Sequence, residues 1–204
     1  MYKMSRTKRY VLTAMCITLC AVLPLVLHAV PGAGSILLPM HIPVLLCGLI
    51  VGWPFGLMAG IFGPLLSSFT TGMPLIAFAP IMMIELGVYG MVAGLIIRIV
   101  RTNGRVNKHI SAILSIILGR VVPGIGFVID RYVHIYIALI PAMFLGRIIG
   151  GAARAFLFVP EAHATHFAWF ISSYFITSAP GIIIQLVLIP VIIIALEKAK
   201  LVRK

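Results

Sequence analysis

Residues 35–56, SILLPMHIPVLLCGLIVGWPFG, are apolar enough for a membrane helix but are poorly built for one that faces lipid. Pro39, Pro43 and Pro54 interrupt the run, and His41 lies near its first end. Ionisable residues at membrane depth usually face the interior of a helix bundle or a wet cavity. We therefore predict that this stretch begins at the edge of a binding site, where Pro39 and Pro43 shape the entry into a helix. Bracing of the preceding loop is the alternative role for His41.

The composition of the whole chain is that of a membrane protein. Of its 204 residues, 62% are apolar and only 10% are charged, whereas a soluble domain carries about a quarter charged residues. Several apolar stretches approach the roughly 17–25 residues that a spanning helix needs. No alternating strands typical of a membrane barrel occur in the sequence. The composition therefore predicts an all-α integral membrane protein.

The positive charges are placed as topology signals. Twelve of the sixteen Lys and Arg residues fall in three clusters, at 3–9, 98–108 and 198–204, and each cluster flanks an apolar segment. This distribution matches the positive-inside rule. We therefore predict a multi-pass protein of the plasma membrane with both termini in the cytoplasm. The net charge of +12 then serves topology and contact with anionic membrane lipid, and we predict no nucleic-acid partner.

The spacing of the apolar segments predicts a bundle of six transmembrane helices in a single membrane domain over residues 1–204. We expect helices at about 10–29, 38–52, 54–71, 75–100, 133–158 and 167–196, with short basic tails at 1–9 and 198–204. An extra apolar segment at 109–128 is not counted among the six. Residue 108 and the C-terminus are both predicted to be cytoplasmic, so the number of crossings between them must be even. Three candidate segments follow residue 108, which is one too many. Pro123 and Gly124 break this segment, which makes it the weakest candidate for a span.

Four polar residues lie deep inside predicted helices and are candidates for a binding site. Glu85 lies in the middle of the helix at 75–100, and Tyr89 follows one turn later on the same face. Arg147 and Gln185 lie deep in two later helices. An internal Glu–Arg pair that fixes helix packing is the alternative role for Glu85. Arg147 is suited to meet an anionic group of a ligand, with a structural role as its alternative.

The sequence offers little for catalysis or metal binding. It has four acidic residues and no nucleophile elbow, HExxH motif or phosphate-binding loop, so we predict neither enzyme activity nor ATP hydrolysis by this chain. Cys16, Cys20 and Cys47 lie in apolar segments without disulfide or zinc spacing. The segment EAHATH at 161–166 is a weak metal pattern, and an ordinary polar loop is the preferred interpretation. We therefore predict no metal site.

Over most of residues 10–198, the chain resembles the substrate-binding S-components of energy-coupling factor (ECF) vitamin transporters. Five segments carry the resemblance: TAMCITLCAVLP, LLPMHIPVLLCGLIVGWPFGLMAGIFGPLLSS, IMMIELGVYGMVAGL, MFLGRIIGG and APGIIIQLVLIPVIIIALEK. The resemblance implies a six-helix bundle with cytoplasmic ends and a vitamin pocket in its outer half. It also implies three partner chains, a transmembrane coupling protein and two ATPases. ATP would be hydrolysed by those partners, and this chain would carry no cofactor.

The resemblance also assigns a role to the first helix. S-components use an Ala-xxx-Ala pattern there to contact the coupling protein, and here the pattern is Ala14-xxx-Thr18. The small face that allows close helix approach is kept, while the second alanine is replaced. We therefore expect Ala14 and Thr18 to face the coupling partner, with a changed strength of docking.

Within the family, LPMHIPVLLCGL is most similar to S-components for pantothenate. Pantothenate is an anion with hydroxyl and amide groups, so an arginine, a histidine and a glutamine or tyrosine would suit it. We assign Arg147 to the substrate carboxylate. The expected polar contacts are His41, Glu85, Tyr89, Tyr174 and Gln185.

Three alternatives stay open at this point. The chain is an S-component for another vitamin (riboflavin, thiamin or its precursor, folate, pyridoxine or niacin), a nickel or cobalt uptake subunit, or a membrane assembly protein without transport. Nickel and cobalt S-components begin with Met-His and use the free amino terminus as a ligand, whereas Met40 and His41 are internal. A role in assembly alone would leave the polar residues inside the membrane without an explanation.

Overall fold

A computed structural model of the chain describes residues 4–27, 36–102, 126–158, 172 and 176–199, with the side chains of helix 126–158 described from 132 to 154. Over these ranges the regular structure is helical, without strands. The helices are α1 (Arg6–Leu27), α2 (His41–Ile50), α3 (Trp53–Thr71), α4 (Ala79–Thr102), α5 (Gly126–Phe158) and α6 (Ala179–Lys198). This confirms the all-α class predicted from the composition.

Among the described residues, four segments are long and apolar enough to cross a membrane. They are Arg6–Val26, Ala79–Thr102, Tyr132–Arg154 and Ala179–Lys198, with 20 to 24 residues each. At 1.5 Å per residue they cover about 30–36 Å, which matches the roughly 30 Å hydrocarbon core of a bilayer. The helix α2 is apolar but shorter, so a count of six crossings stays a prediction.

Two helix starts differ from the sequence prediction. The helix α4 begins at Ala79 instead of about residue 75, because residues 75–78 form a turn in which the Phe78 N–H donates to the Leu75 carbonyl at 2.8 Å. Pro80 then fits the first turn of the helix, where its missing N–H costs nothing. The helix α6 begins at Ala179 instead of about residue 167. Residues 167–171 and 173–175 lie outside the described part of the chain.

The helix α5 runs without a break from Gly126 to Phe158. It includes Asp130 and Arg131, which precede the apolar stretch Tyr132–Arg154, so the helix starts before the span predicted at 133–158. Residues 126–128 of the predicted extra segment also belong to α5, and residues 109–125 lie outside the described ranges.

Glycines allow the central helices to pack with their backbones in contact. A side chain on Gly90 of α4 would overlap the backbone of Gly56 in α3, and one on Gly56 would lie 2.7 Å from the Cα atom of Gly48 in α2. Small residues permit such close packing, which is the main source of helix association inside a bilayer. Gly52, at a φ of 121°, makes the two-residue connection from α2 to α3 possible. The helix α4 thereby lies at the centre of the bundle, against α2, α3 and α5.

The two ends of the bundle differ in character. One end, which we call the basic end, carries the start of α1, the α2–α3 connection and the ends of α4 and α6, with basic residues in each of those helix ends. The other, which we call the loop end, carries residues 36–40, 72–78 and 176–178. Contacts hold these loops together: Gly181 of α6 lies against the backbone of Ile36 and Leu37, and the guanidinium of Arg154 lies over the Phe78 ring.

Candidate functional site

Five of the predicted site residues are buried side chains of four different helices. They are His41 of α2, Glu85 and Tyr89 of α4, Arg147 of α5 and Gln185 of α6, and their exposed fractions lie between 0 and 7%. Burying charged and polar groups is costly unless they find partners. A set of this size in a chain with four acidic residues therefore marks the interior of the bundle as the candidate site.

Three of these residues are in direct contact. The Nε2 atom of His41 lies 3.6 Å from the Oε1 atom of Glu85. The His41 ring also meets the Tyr89 ring edge-on, with 5.0 Å between their centroids. Glu85 and Tyr89 point the same way because they are one helical turn apart. The structure therefore places a histidine beside Glu85, where the sequence left an internal Glu–Arg pair open.

The position of Glu85 and Tyr89 is fixed from the other side by two glycines of α5. A Cβ atom on Gly146 would lie 2.6 Å from Cδ2 of Tyr89, and one on Gly150 would lie 2.7 Å from Cβ of Glu85. The two glycines are four residues apart, as are the two polar residues they face. One turn of α5 thus packs on one turn of α4, and the polar side chains fill the space that the glycines leave.

Arg147 is held by a residue that the sequence prediction missed. Its Nη1 atom donates a hydrogen bond to the Oγ atom of Ser178 at 2.5 Å. Ser178 is buried and occupies the N-cap position of α6, but its side chain makes no capping hydrogen bond. A serine directly before Ala-Pro-Gly is the usual signal for an N-cap. That signal locates the helix start. It does not predict that Arg147, 31 positions earlier, donates a hydrogen bond to this hydroxyl.

Gln185 joins α6 to the segment before α2. Its Nε2 atom donates to the carbonyl oxygen of Leu38 at 3.4 Å, and the backbone N–H of His41 donates to the same oxygen at 3.1 Å. Leu38 has a φ of 51°, in the left-handed region that is uncommon for residues other than glycine. The contacts on Leu38 therefore hold this turn in place beside His41.

Comparison with known proteins identifies the kind of protein that carries this cluster. The family model described as ECF transporter, substrate-specific component, matches residues 8–193. The chain belongs to the family of ECF substrate-specific components. No curated protein sequence and no solved structure matches it. The family comprises transporter subunits and is not an enzyme family, so the protein is a membrane protein that serves transport together with an ECF module.

The remaining predicted residues of this S-component are located as follows. Tyr174 lies outside the described residues, as do Glu161, His163 and His166 of the weak metal pattern. Ala14 and Thr18 are exposed on the outer side of α1. The Thr18 hydroxyl donates to the Ala14 carbonyl at 3.0 Å, so this surface presents no unsatisfied donor. Within the described ranges, no group of three or more His, Cys, Asp or Glu side chains is placed to hold a metal ion.

Proposed function

We propose that this S-component binds pantothenate for an ATP-driven vitamin importer. The observation that carries the proposal is the buried cluster of His41, Glu85, Tyr89, Arg147 and Gln185 in a chain of this family. Polar and ionisable residues inside a membrane bundle are costly to bury and commonly mark a substrate pathway. A small acid with hydroxyl and amide groups supplies partners for both the charged and the polar members of the cluster.

In this proposal Arg147 binds the substrate carboxylate. The guanidinium of arginine offers five donors in a planar fork that matches a carboxylate. The Ser178 hydroxyl contacts Nη1 and so fixes the orientation of the guanidinium plane. His41, Glu85, Tyr89, Tyr174 and Gln185 contact the hydroxyl and amide groups.

The aromatic content of the cluster favours such a substrate over a flat aromatic vitamin. Riboflavin or thiamin would need aromatic faces for stacking. Tyr89, the aromatic residue of the buried cluster, is packed against Gly146 on α5 and against the His41 ring. Its ring is therefore engaged within the protein, whereas His41, Gln185 and Arg147 are suited to a flexible hydroxy acid.

The partners and orientation follow from the outer surface of the bundle. A transmembrane coupling protein binds the exposed Ala14–Thr18 face of α1, and two ATPases bind the coupling protein and supply the energy. The basic end faces the cytoplasm, where its lysines and arginines contact anionic lipid. The loop end faces outward, so the substrate enters between the loops that flank α2, α4 and α6.

Calorimetry on the purified chain tests this proposal. The ligands are pantothenate, the other vitamins named above, and Ni²⁺ and Co²⁺. Binding of pantothenate with a dissociation constant of about 1 μM or below, about −8 kcal/mol, supports it. Binding of a different vitamin would remove pantothenate as the substrate and keep the role as a vitamin-binding subunit. Binding of a metal ion alone would overturn the vitamin role.

A further inference from the structure

Arg154 carries a positive charge at the end of the bundle where basic residues are otherwise scarce. The segments that join α1 to α2, α3 to α4 and α5 to α6 contain no lysine or arginine. Positive charges concentrate at the cytoplasmic ends of membrane helices, so an arginine near the loop end works against the topology signal of the basic end. The position of Arg154 therefore indicates a role other than topology.

The packing of α5 on α4 places Arg154 on the loop-end side of the candidate site. Gly150 of α5 faces Glu85 of α4, and Gly146, one turn earlier in α5, faces a residue one turn later in α4. Arg154 continues this series by one turn, and its guanidinium carbon lies 5.0 Å from the centroid of the Phe78 ring, directly before α4. The side chain is half-buried. Arg154 therefore lies at the loop-end edge of the same helix contact that holds Glu85.

Arg154 and Arg147 lie on the same side of α5. The helix is continuous from Gly126 to Phe158, and seven residues of an α-helix rotate to within about 20° of two full turns and rise about 10 Å. Arg147 is buried and donates to Ser178, whereas Arg154 is partly exposed. One side of α5 thus presents a cation at the loop end and, two turns deeper, a second cation inside the site.

We propose that Arg154 is the first contact site for the carboxylate of the substrate, which then passes to Arg147. This inference rests on the proposed function, because it requires an anionic substrate that enters at the loop end. A charge at the rim of a site attracts its ligand through solvent, and it chiefly changes the association rate and the dependence of that rate on salt. Arg154 therefore favours acids over neutral analogues during association, and Arg147 selects them in the bound state.

Binding kinetics on the purified full chain test this role with two ligands, pantothenate and panthenol, which has an alcohol in place of the carboxylate. Arg154→Gln should lower the association rate constant of pantothenate about threefold at about 10 mM salt. At about 1 M salt the loss should fall below about 1.5-fold, because the screening length falls from about 30 Å to about 3 Å. Association of panthenol should change less than about 1.5-fold at either salt concentration, and dissociation of pantothenate less than about twofold. An unchanged association rate for pantothenate at low salt would overturn the proposal.

Bracing of the turn at 75–78 is the competing role for Arg154, and two further variants separate it from the role of the charge. Phe78→Leu removes the ring under the guanidinium and keeps the charge, and Arg154→Lys also keeps the charge, so both should associate with pantothenate within about 1.5-fold of the wild-type rate. If Phe78→Leu slows pantothenate as much as Arg154→Gln does, or if Arg154→Gln slows both ligands equally, Arg154 is a brace and the proposal is wrong. Arg154→Met, whose apolar stem still covers the ring, replaces Arg154→Gln if that variant does not fold.

Failure of the proposed function gives a different result. If pantothenate does not bind but another acid such as niacin does, the named substrate is wrong, and the same comparison is made with that acid and its neutral amide. If only a neutral or cationic vitamin, a metal ion or no compound binds, the anionic substrate and the role of Arg154 are both overturned. Pantothenate that binds wild type and Arg154→Gln at the same rate overturns the role of Arg154 and leaves the proposed function intact.

Discussion

His41, the first residue of α2, lies 3.6 Å from the carboxylate of Glu85 in the second turn of α4. Both side chains are buried, so the contact joins the proline-bounded stretch around residue 40 to the central helix of the bundle. A carboxylate in a low-dielectric interior depends on its partner, because removal of one member leaves the other uncompensated. The fold therefore depends on keeping both members of the pair together.

Substitution of either member of this pair should destabilise the protein. We expect His41→Ala and Glu85→Ala each to cost about 3 kcal/mol, since each leaves a buried group without its partner. The double variant should cost at least about 1 kcal/mol less than the sum, because the second substitution removes the group that the first had stranded. Thermal unfolding of the four proteins in detergent measures the cycle. If the stability losses of the two single variants sum to that of the double variant within about 0.5 kcal/mol, the two side chains do not interact.

The arginine of α5 should determine how the site selects anions. Arg147→Lys should weaken pantothenate binding about 10- to 100-fold, because a lysine cannot reproduce the fork that binds a carboxylate or the contact with Ser178. Binding of panthenol, which has no carboxylate, should change little. Arg154→Lys is the matched control, since Arg154 lies over the Phe78 ring at the loop end. Calorimetry with both ligands would contradict the assignment if Arg147→Lys weakened them equally.

From the sequence, the burial of individual residues could be predicted better than the contacts between them. Glu85 and Tyr89 could be placed on one face of the helix, because residues four apart in a helix lie on the same face. The contact between Gln185 and Leu38 joins positions 147 residues apart, and no local pattern contains that information. Ser178 was missed for the same reason, because its role depends on the approach of Arg147 from another helix. The start of α4 was misplaced because a turn at 75–78 is as apolar as the helix that follows it.

The two glycines of α5 should be intolerant of even one methyl group. Gly150→Ala would place Cβ 2.7 Å from Cβ of Glu85, and neither atom can move without its backbone. We expect it to cost about 1–3 kcal/mol and to weaken ligand binding by displacing Glu85. Gly87→Ala is the matched control, because its nearest neighbour at 3.3 Å is the flexible end of Leu57. Thermal unfolding that ranks Gly87→Ala as equal to or worse than Gly150→Ala would contradict this packing.

The exposed small face of α1 should matter for transport and not for binding. Ala14→Trp places a bulky ring on a surface where close approach of a coupling helix requires small residues. Because Ala14 is exposed and distant in sequence from the buried cluster, we expect ligand affinity within about twofold of the wild type and at least tenfold lower uptake. Thr18→Ala should transport normally, since it removes a hydroxyl that is bonded to the Ala14 carbonyl and keeps the surface small.

Uptake of radiolabelled pantothenate into vesicles that contain the complete ECF module measures this difference, beside calorimetry on the isolated variants. Val187→Trp is the control for a bulky residue on the bundle surface, because Val187 is 61% exposed on α6, away from the proposed docking face. It should retain uptake. If Ala14→Trp transports as well as Val187→Trp does, the coupling protein does not dock on the Ala14–Thr18 face, and the contact must be sought on another exposed helix surface.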